Sequence, residues 1–175
     1  GLSIPFGYKG WVGFLNAQAK EVGKVSEVEE LLGNDQFEEA AQLLFDLMGG
    51  FAFNNAIEDE YGKHKLNDFT PIGANAYLHL LTTGPVITTN YDTVLETGFK
   101  NVDWEFERTI FGRMVDSINR ALVQDKHYLI KIHGTWDERS DRIITKADYD
   151  NAYGNLECQI ESMNVLPKLL GRLMS

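Results

Sequence analysis

The sequence predicts an α/β chain built on a parallel sheet, and three observations carry that reading. Short β-branched runs occur at Pro85-Val86-Ile87-Thr88-Thr89 and Tyr128-Leu129-Ile130-Lys131-Ile132, each the length of a buried strand. Stretches with helical periodicity flank and separate them, and strand alternating with helix is the pattern of a parallel sheet. Residues able to do chemistry follow both runs: Thr89-Asn90-Tyr91-Asp92 after the first and His133-Gly134-Thr135 after the second. In such sheets ligands sit beyond the carboxyl ends of the strands. The expected architecture is a Rossmann-like sheet with a helical insertion. It is read as incomplete at both ends, since the chain begins Gly1-Leu2-Ser3 without a methionine and stops at Ser175 directly after an amphipathic run.

Residues 11–81 read as mostly helical. Ser26-Glu27-Val28-Glu29 and Asp35-Gln36-Phe37-Glu38 have the capping-box spacing. Phe37, Ala40, Ala41, Leu44 and Met48 then recur at helical intervals until Gly49-Gly50. A further helix is expected from Thr70-Pro71, a cap followed by an N1 proline, through Ala74, Tyr77, Leu78 and Leu81. Residues 104–110 suit an edge strand, and Arg142-Ile143-Ile144 a weaker strand. Residues 118–122 look helical, and Thr145-Lys146-Ala147-Asp148 opens another helix with a cap. The whole of 1–175 is one domain, with the helical insert at about 12–75.

Composition bounds the function. At 175 residues, with 43% hydrophobic and 24% charged side chains, the chain can bury a core without covalent staples. The single cysteine, Cys158, excludes an internal disulfide and a multi-cysteine zinc site. No apolar stretch approaches the ~20 residues that cross a bilayer, and nothing resembles a signal peptide, so a cytoplasmic location is expected. The net charge is −10, concentrated in residues 1–60, where 11 acidic residues meet 3 basic ones. That surface repels a nucleic-acid backbone. A phosphate-bearing small ligand remains open to it, because backbone amides at a glycine-rich turn can hold phosphate.

Singly, the candidate residues say little. Asn90 could end a strand, Asp92 could cap the helix that starts near Thr93, and His133 could be a satisfied group before a turn glycine. Trp11 and Trp136 are by default core aromatics. Jointly they say more. Gly1-Leu2-Ser3-Ile4-Pro5-Phe6-Gly7-Tyr8-Lys9-Gly10-Trp11, then Ile87-Thr88-Thr89-Asn90-Tyr91-Asp92, then Lys131-Ile132-His133-Gly134-Thr135-Trp136 occur in one order. This set resembles the sirtuin family, most closely its bacterial zinc-free, NAD-cleaving branch. Ile144-Thr145-Lys146, Asp148-Tyr149, Leu166-Pro167 and Leu169-Leu170 resemble the stretches that follow there.

The resemblance implies roles. Gly1 and Ser3 would be the end of a dinucleotide-binding loop, fed by an apolar strand before Gly1. Asn90 would place a ribose hydroxyl or the attacking water, and Asp92 would accept from the nicotinamide carboxamide beside the Tyr91 backbone. His133 would be the general base, near its unperturbed pKa of ~6.5. Trp11 would shield the reacting sugar. NAD is then the substrate, no zinc is expected, and the implied reaction is hydrolysis to ADP-ribose and nicotinamide in bacterial antiviral defence. A further domain or partner protein and a homo-oligomer are expected. The chain departs from the deacylase pattern at Gly10-Trp11-Val12, which stands where an Asp-Phe-Arg would be. A non-enzymatic nucleotide sensor is the alternative, and a deacylase a weaker one. The helical insert is expected over the strand ends, gating access.

Overall fold

The computed structural model describes residues 1–112 and 126–153, together with Ser117, Arg120, Val123 and Gln124. The helical reading of 118–122 falls outside these apart from Arg120, as do Cys158 and the stretch at 166–170. Four helices come first: α1 (Trp11–Glu21), α2 (Val25–Gly33), α3 (Phe37–Met48) and α4 (Gly50–Tyr61). Sequential helices pack on one another, and α1 also packs on α3. Phe14, Leu15, Val28, Ala40, Ala41, Leu44, Phe53 and Ile57 are fully buried between them.

The two expected capping boxes do not form. Helix α1 closes through Gly23, whose φ of +70° lets Lys24 N bond Ala19 O. The backbone is helical again by Val25, so Ser26 lies inside the first turn and caps nothing. Asp35 is consumed in the same way. It takes a φ of +58° to end α2, with Gln36 N bonded to Leu31 O, a conformation that aspartate tolerates better than most residues. The helix expected from Thr70-Pro71 is also absent. Gly73 (φ +58°) opens a 3₁₀ turn at Gly73–Ala76, and only Leu78–Leu81 is helical, as α5. Asn75 is held instead by donating to Leu2 O at 2.8 Å.

Three strands form one parallel sheet in the order β1 (Val86–Thr88), β3 (Tyr128–Lys131), β2 (Arg108–Phe111). Ile87 and Ile110 flank Ile130 in register. Alternation along β3 sorts the two faces. Ile130 and Ile132 join Ile110 and Ile143 under α7 (Lys146–Tyr153), while Leu129 packs with Leu95 and Phe99 of α6 (Val94–Lys100). With helices on both faces, the fold is α/β and Rossmann-like, on a small open sheet.

Arg142-Ile143-Ile144 is not a strand. Its apolar pair divides between two cores, Ile143 under α7 and Ile144 among the α1–α4 helices. Among the described residues its one ladder-like bond runs from Ile143 N to His133 O, 3.1 Å. The capping reading at Thr145 does hold. Thr145 N donates to Asp148 Oδ2 (3.0 Å), and Asp148 N to Thr145 Oγ1 (3.2 Å).

Helices α1–α4 share their core with the strand ends. Tyr91, Val94 and Ile144 belong to the same buried cluster as Phe14 and Tyr61. Arg142, 2% exposed, reaches from the loop after β3 to Asn54 Oδ1 (2.7 Å) and Glu58 Oε1 (3.0 Å) of α4. Arg139 joins Glu58 at 2.6 Å. These bonds hold the Glu58 carboxyl below its usual range, the Arg139 bond contributing most. These bonds tie α4 to the loop that follows β3.

Candidate active site

The carboxyl ends of β1 and β3 and the first turn of the chain meet in a cleft of about 280 Å³. Gly1, Ser3, Trp11, Asn90, Tyr91, Asp92 and His133 all line it. Beyond β1 the chain turns at once, with Asn90 N bonded to Thr88 Oγ1 (3.1 Å). Asn90 Nδ2 then donates to Ser3 Oγ at 3.0 Å, tying the strand end to the Gly1–Ser3 turn. That bond engages the donor end of the amide. Among the described residues Asn90 Oδ1 has no hydrogen-bond partner.

Asp92 is 4% exposed, and its Oδ1 accepts from Val94 N at 3.0 Å. Asp92 stands one position before the N-cap, Thr93, and binds the first amide of α6 with one oxygen. Lys131 fixes the backbone here. It sits on the α6 face of β3, 1% exposed, and its ammonium donates to Tyr91 O (3.3 Å), Asp92 O (2.5 Å) and Glu96 Oε1 (3.0 Å). Tyr91 O also accepts from Trp136 N at 3.0 Å, and the Tyr91 hydroxyl donates to Ile143 O at 2.7 Å. Burial pushes that phenol well above its ordinary pKa. Tyr91 is thus a neutral wall, bonded at both its hydroxyl and its carbonyl.

The opposite wall is aromatic. Trp11 stacks on Phe14 (5.3 Å between centroids, 16°) and tilts against Tyr91 (6.0 Å). Tyr61, at the end of α4, and Tyr149 of α7 complete it. Lys9 stands at the rim. Its N–H and its ammonium both reach the Glu60 carboxylate, each at 2.7 Å, and Lys65 Nζ meets the same carboxylate at 2.5 Å. Burial raises the Glu60 pKa, but the bonds from Lys65 and Lys9 outweigh it and hold the group below its usual range.

His133 is half-buried, and burial pushes its pKa down to about 4 instead of leaving it near 6.5. The ring is therefore neutral across the physiological range, the form a general base requires. Its Nε2 lies 3.0 Å from the Tyr153 hydroxyl. Tyr149 meets the ring edge-on at 5.4 Å and stacks on Tyr153. Two pH effects follow. The unfolded histidine takes up a proton near pH 6.5 and the folded one near 4, so its contribution to stability is complete above 6.5 and falls as pH drops toward 4. Any reaction using this ring as base should show its acid limb near 4 in a kcat/KM profile, and a limb at 6.5 would assign it to another group.

Gly134 explains the residue pairing at the end of β3. Its φ is +86°, and a Cβ there would lie 2.5 Å from Asp141 O and 3.0 Å from Arg142 Cα. The returning chain crosses directly over it. Gly134→Ala should destabilise by about 2 kcal/mol or more, from the positive φ and the clash together. Thermal melting checks this, and an unchanged midpoint would contradict the crossing.

The sequence assigns no site role to Tyr61, Lys131, Tyr149 or Tyr153, although Lys131 and Tyr149 lie in the stretches that carry the family resemblance. A signal existed for three of them. Tyr149 and Tyr153 are four apart in a helix opened by a legible cap, which puts both on one face. Lys131 is a lone charge in an otherwise apolar strand, and such residues are rarely buried without partners. Among the described residues no group of three or more His, Asp or Glu is assembled to hold a metal.

The fold and the cleft together define an α/β domain with a polar site beyond the carboxyl ends of parallel strands. A family model described as a SIR2-like domain matches residues 85–175, and the chain belongs to that family. The match includes Asn90, Tyr91, Asp92 and His133, whereas Gly1, Ser3 and Trp11 precede it. SIR2-like domains use NAD, and the chain is of a kind compatible with an NAD-dependent enzyme. Comparison with curated proteins gives no match. Among the described residues no helix is long and apolar enough to cross a membrane.

Proposed function

We propose that the chain is an NAD glycohydrolase, cleaving NAD to ADP-ribose and nicotinamide. The observation that carries this is the meeting of Asn90, Asp92 and His133 from two strand ends in one aromatic-walled cleft, within a SIR2-like domain. The cleft lies just below the range of small-molecule pockets, roughly 300–1,000 Å³, so it suits the nicotinamide riboside end of the dinucleotide. The polar groups fit that end: an amide oxygen on Asn90, a carboxylate oxygen on Asp92 and an imidazole nitrogen on His133. The pyrophosphate would lie toward the Gly1–Ser3 turn and the Lys9 rim.

NAD supplies a cationic leaving group, so nicotinamide departs neutral with the electrons of the broken C–N bond and needs little acid help. The chain's residues supply the rest. Asp92 accepts from the carboxamide and orients it. Asn90, held by Ser3, fixes the incoming water through its free oxygen. His133 removes the proton that this water loses as its oxygen bonds to the sugar carbon. Trp11 and Tyr91 keep bulk water from the sugar. Antiviral depletion of NAD is the setting that the family resemblance suggests.

Incubating the chain with NAD and following nicotinamide by chromatography tests the reading. Stoichiometric ADP-ribose and nicotinamide are expected. A second reading, a nucleotide sensor without turnover, draws on the protein partners that Asn90 and Asp92 already have. NAD binding without nicotinamide release would favour it.

A further inference from the structure

We infer that Tyr153 is a positioning residue for His133: its hydroxyl oxygen accepts a hydrogen bond from Nε2–H and leaves Nδ1 as the basic nitrogen of the cleft. The inference deepens the proposed function and rests on the reading of His133 as its base. Nε2 lies 3.0 Å from Tyr153 Oη, and Tyr153, unlike His133 and Tyr149, does not line the cleft. Nε2 is thus engaged by a residue outside the cleft lining. Among the described residues Nδ1 has no hydrogen-bond partner.

A neutral imidazole carries one proton, so the nitrogen that holds it donates and the other accepts. Base chemistry in the cleft needs the lone pair on Nδ1, which puts the proton on Nε2 and makes Tyr153 the acceptor. When Nδ1 takes a proton from the attacking water, the ring becomes a cation. The Tyr153 oxygen then lies against its second N–H, which stabilises the charged form more than the neutral one. The phenol can play this part because burial raises its pKa and keeps it protonated. Ring orientation is fixed too. Tyr149 and Tyr153 both meet the imidazole edge-on, at 69° and 87°. Both project from α7, whose start is locked by the Thr145 and Asp148 bonds and tied to α3 by Ala147 N donating to Gln42 Oε1 at 3.2 Å.

Imidazole ¹⁵N spectroscopy of the ¹⁵N-histidine-labelled chain at pH 7 reads the tautomer directly, with His133→Gln used to assign the signal among four histidines. The expected result is an Nε2–H tautomer with an exchange-protected proton, and loss of that protection in Tyr153→Phe. In the NAD assay Tyr153→Phe should lower kcat roughly three- to tenfold, the size of one neutral hydrogen bond, with KM held within about twofold. An Nδ1–H tautomer in the parent chain would overturn the inference, since Tyr153 would then be donating and Nε2 would hold the lone pair. So would a Tyr153→Phe chain with unchanged proton exchange. The tautomer is read without NAD, so it remains decisive for Tyr153 if nicotinamide release fails, and it needs only the parent chain if the variant does not fold.

Discussion

His133→Ala and Asn90→Ala should each remove most nicotinamide release, by about 10²–10⁴-fold, and the double variant should be little worse than the poorer single one. In the proposed mechanism both groups act on one water, Asn90 by holding it and His133 by deprotonating it, and residues that act as a unit share one effect. The folded state should survive both changes. Asn90→Ala loses the bond to Ser3 Oγ, and His133→Ala loses the bond to Tyr153. Each costs about 1 kcal/mol, or a few degrees in a domain of this size. A purely structural role gives the opposite pattern, a large fall in melting temperature with activity following the folded fraction. Nicotinamide release and thermal melting measured on the same three proteins separate the two. Folded variants that cleave NAD at the parental rate would remove these residues from the mechanism.

What the sequence made legible depended on how local the physics was. The strands at 86–88 and 128–131 were readable because β-branched residues fill a buried sheet irrespective of distant contacts. So was the cap at Thr145, which needs only Asp148 three residues on. The caps expected at Ser26 and Asp35 do not form, because the motif does not specify where the preceding helix releases the chain. Gly23 and the left-handed Asp35 set those exits, and each brings the next helix in too early for an extended cap residue. At 142–144 two isoleucines serve two separate cores, a division that only tertiary structure imposes. The cleft shows the same limit. Asn90, Asp92 and His133 could be placed because strand carboxyl ends are predictable, whereas the aromatic wall from Tyr61 and Tyr149 requires knowing how α4 and α7 return to the sheet. The lowered His133 pKa had no local signal at all, since it arises from burial.

Lys131→Met should be among the most damaging single changes outside the reacting groups. Methionine keeps the apolar stem in its place on the α6 face of β3, so the loss isolates the ammonium. Three acceptors then lose their donor. Tyr91 O retains Trp136 N, and the Glu96 carboxylate, 28% exposed, can recruit water. Asp92 O has neither remedy, in a residue only 4% exposed. An unsatisfied buried carbonyl together with a broken partly buried ion pair costs about 2–4 kcal/mol. Glu96→Gln should also destabilise, since it leaves the buried ammonium with carbonyl dipoles alone. The double variant should recover part of the combined loss, because it removes both charges together. Urea melts of the four proteins give the coupling directly, and strictly additive losses would show that Lys131 and Glu96 do not act as a pair. The functional consequence lies in binding. The Tyr91 and Asp92 carbonyls set where the Asp92 carboxylate stands, so Lys131→Met should raise KM for NAD more than it lowers kcat, whereas His133→Ala should do the reverse.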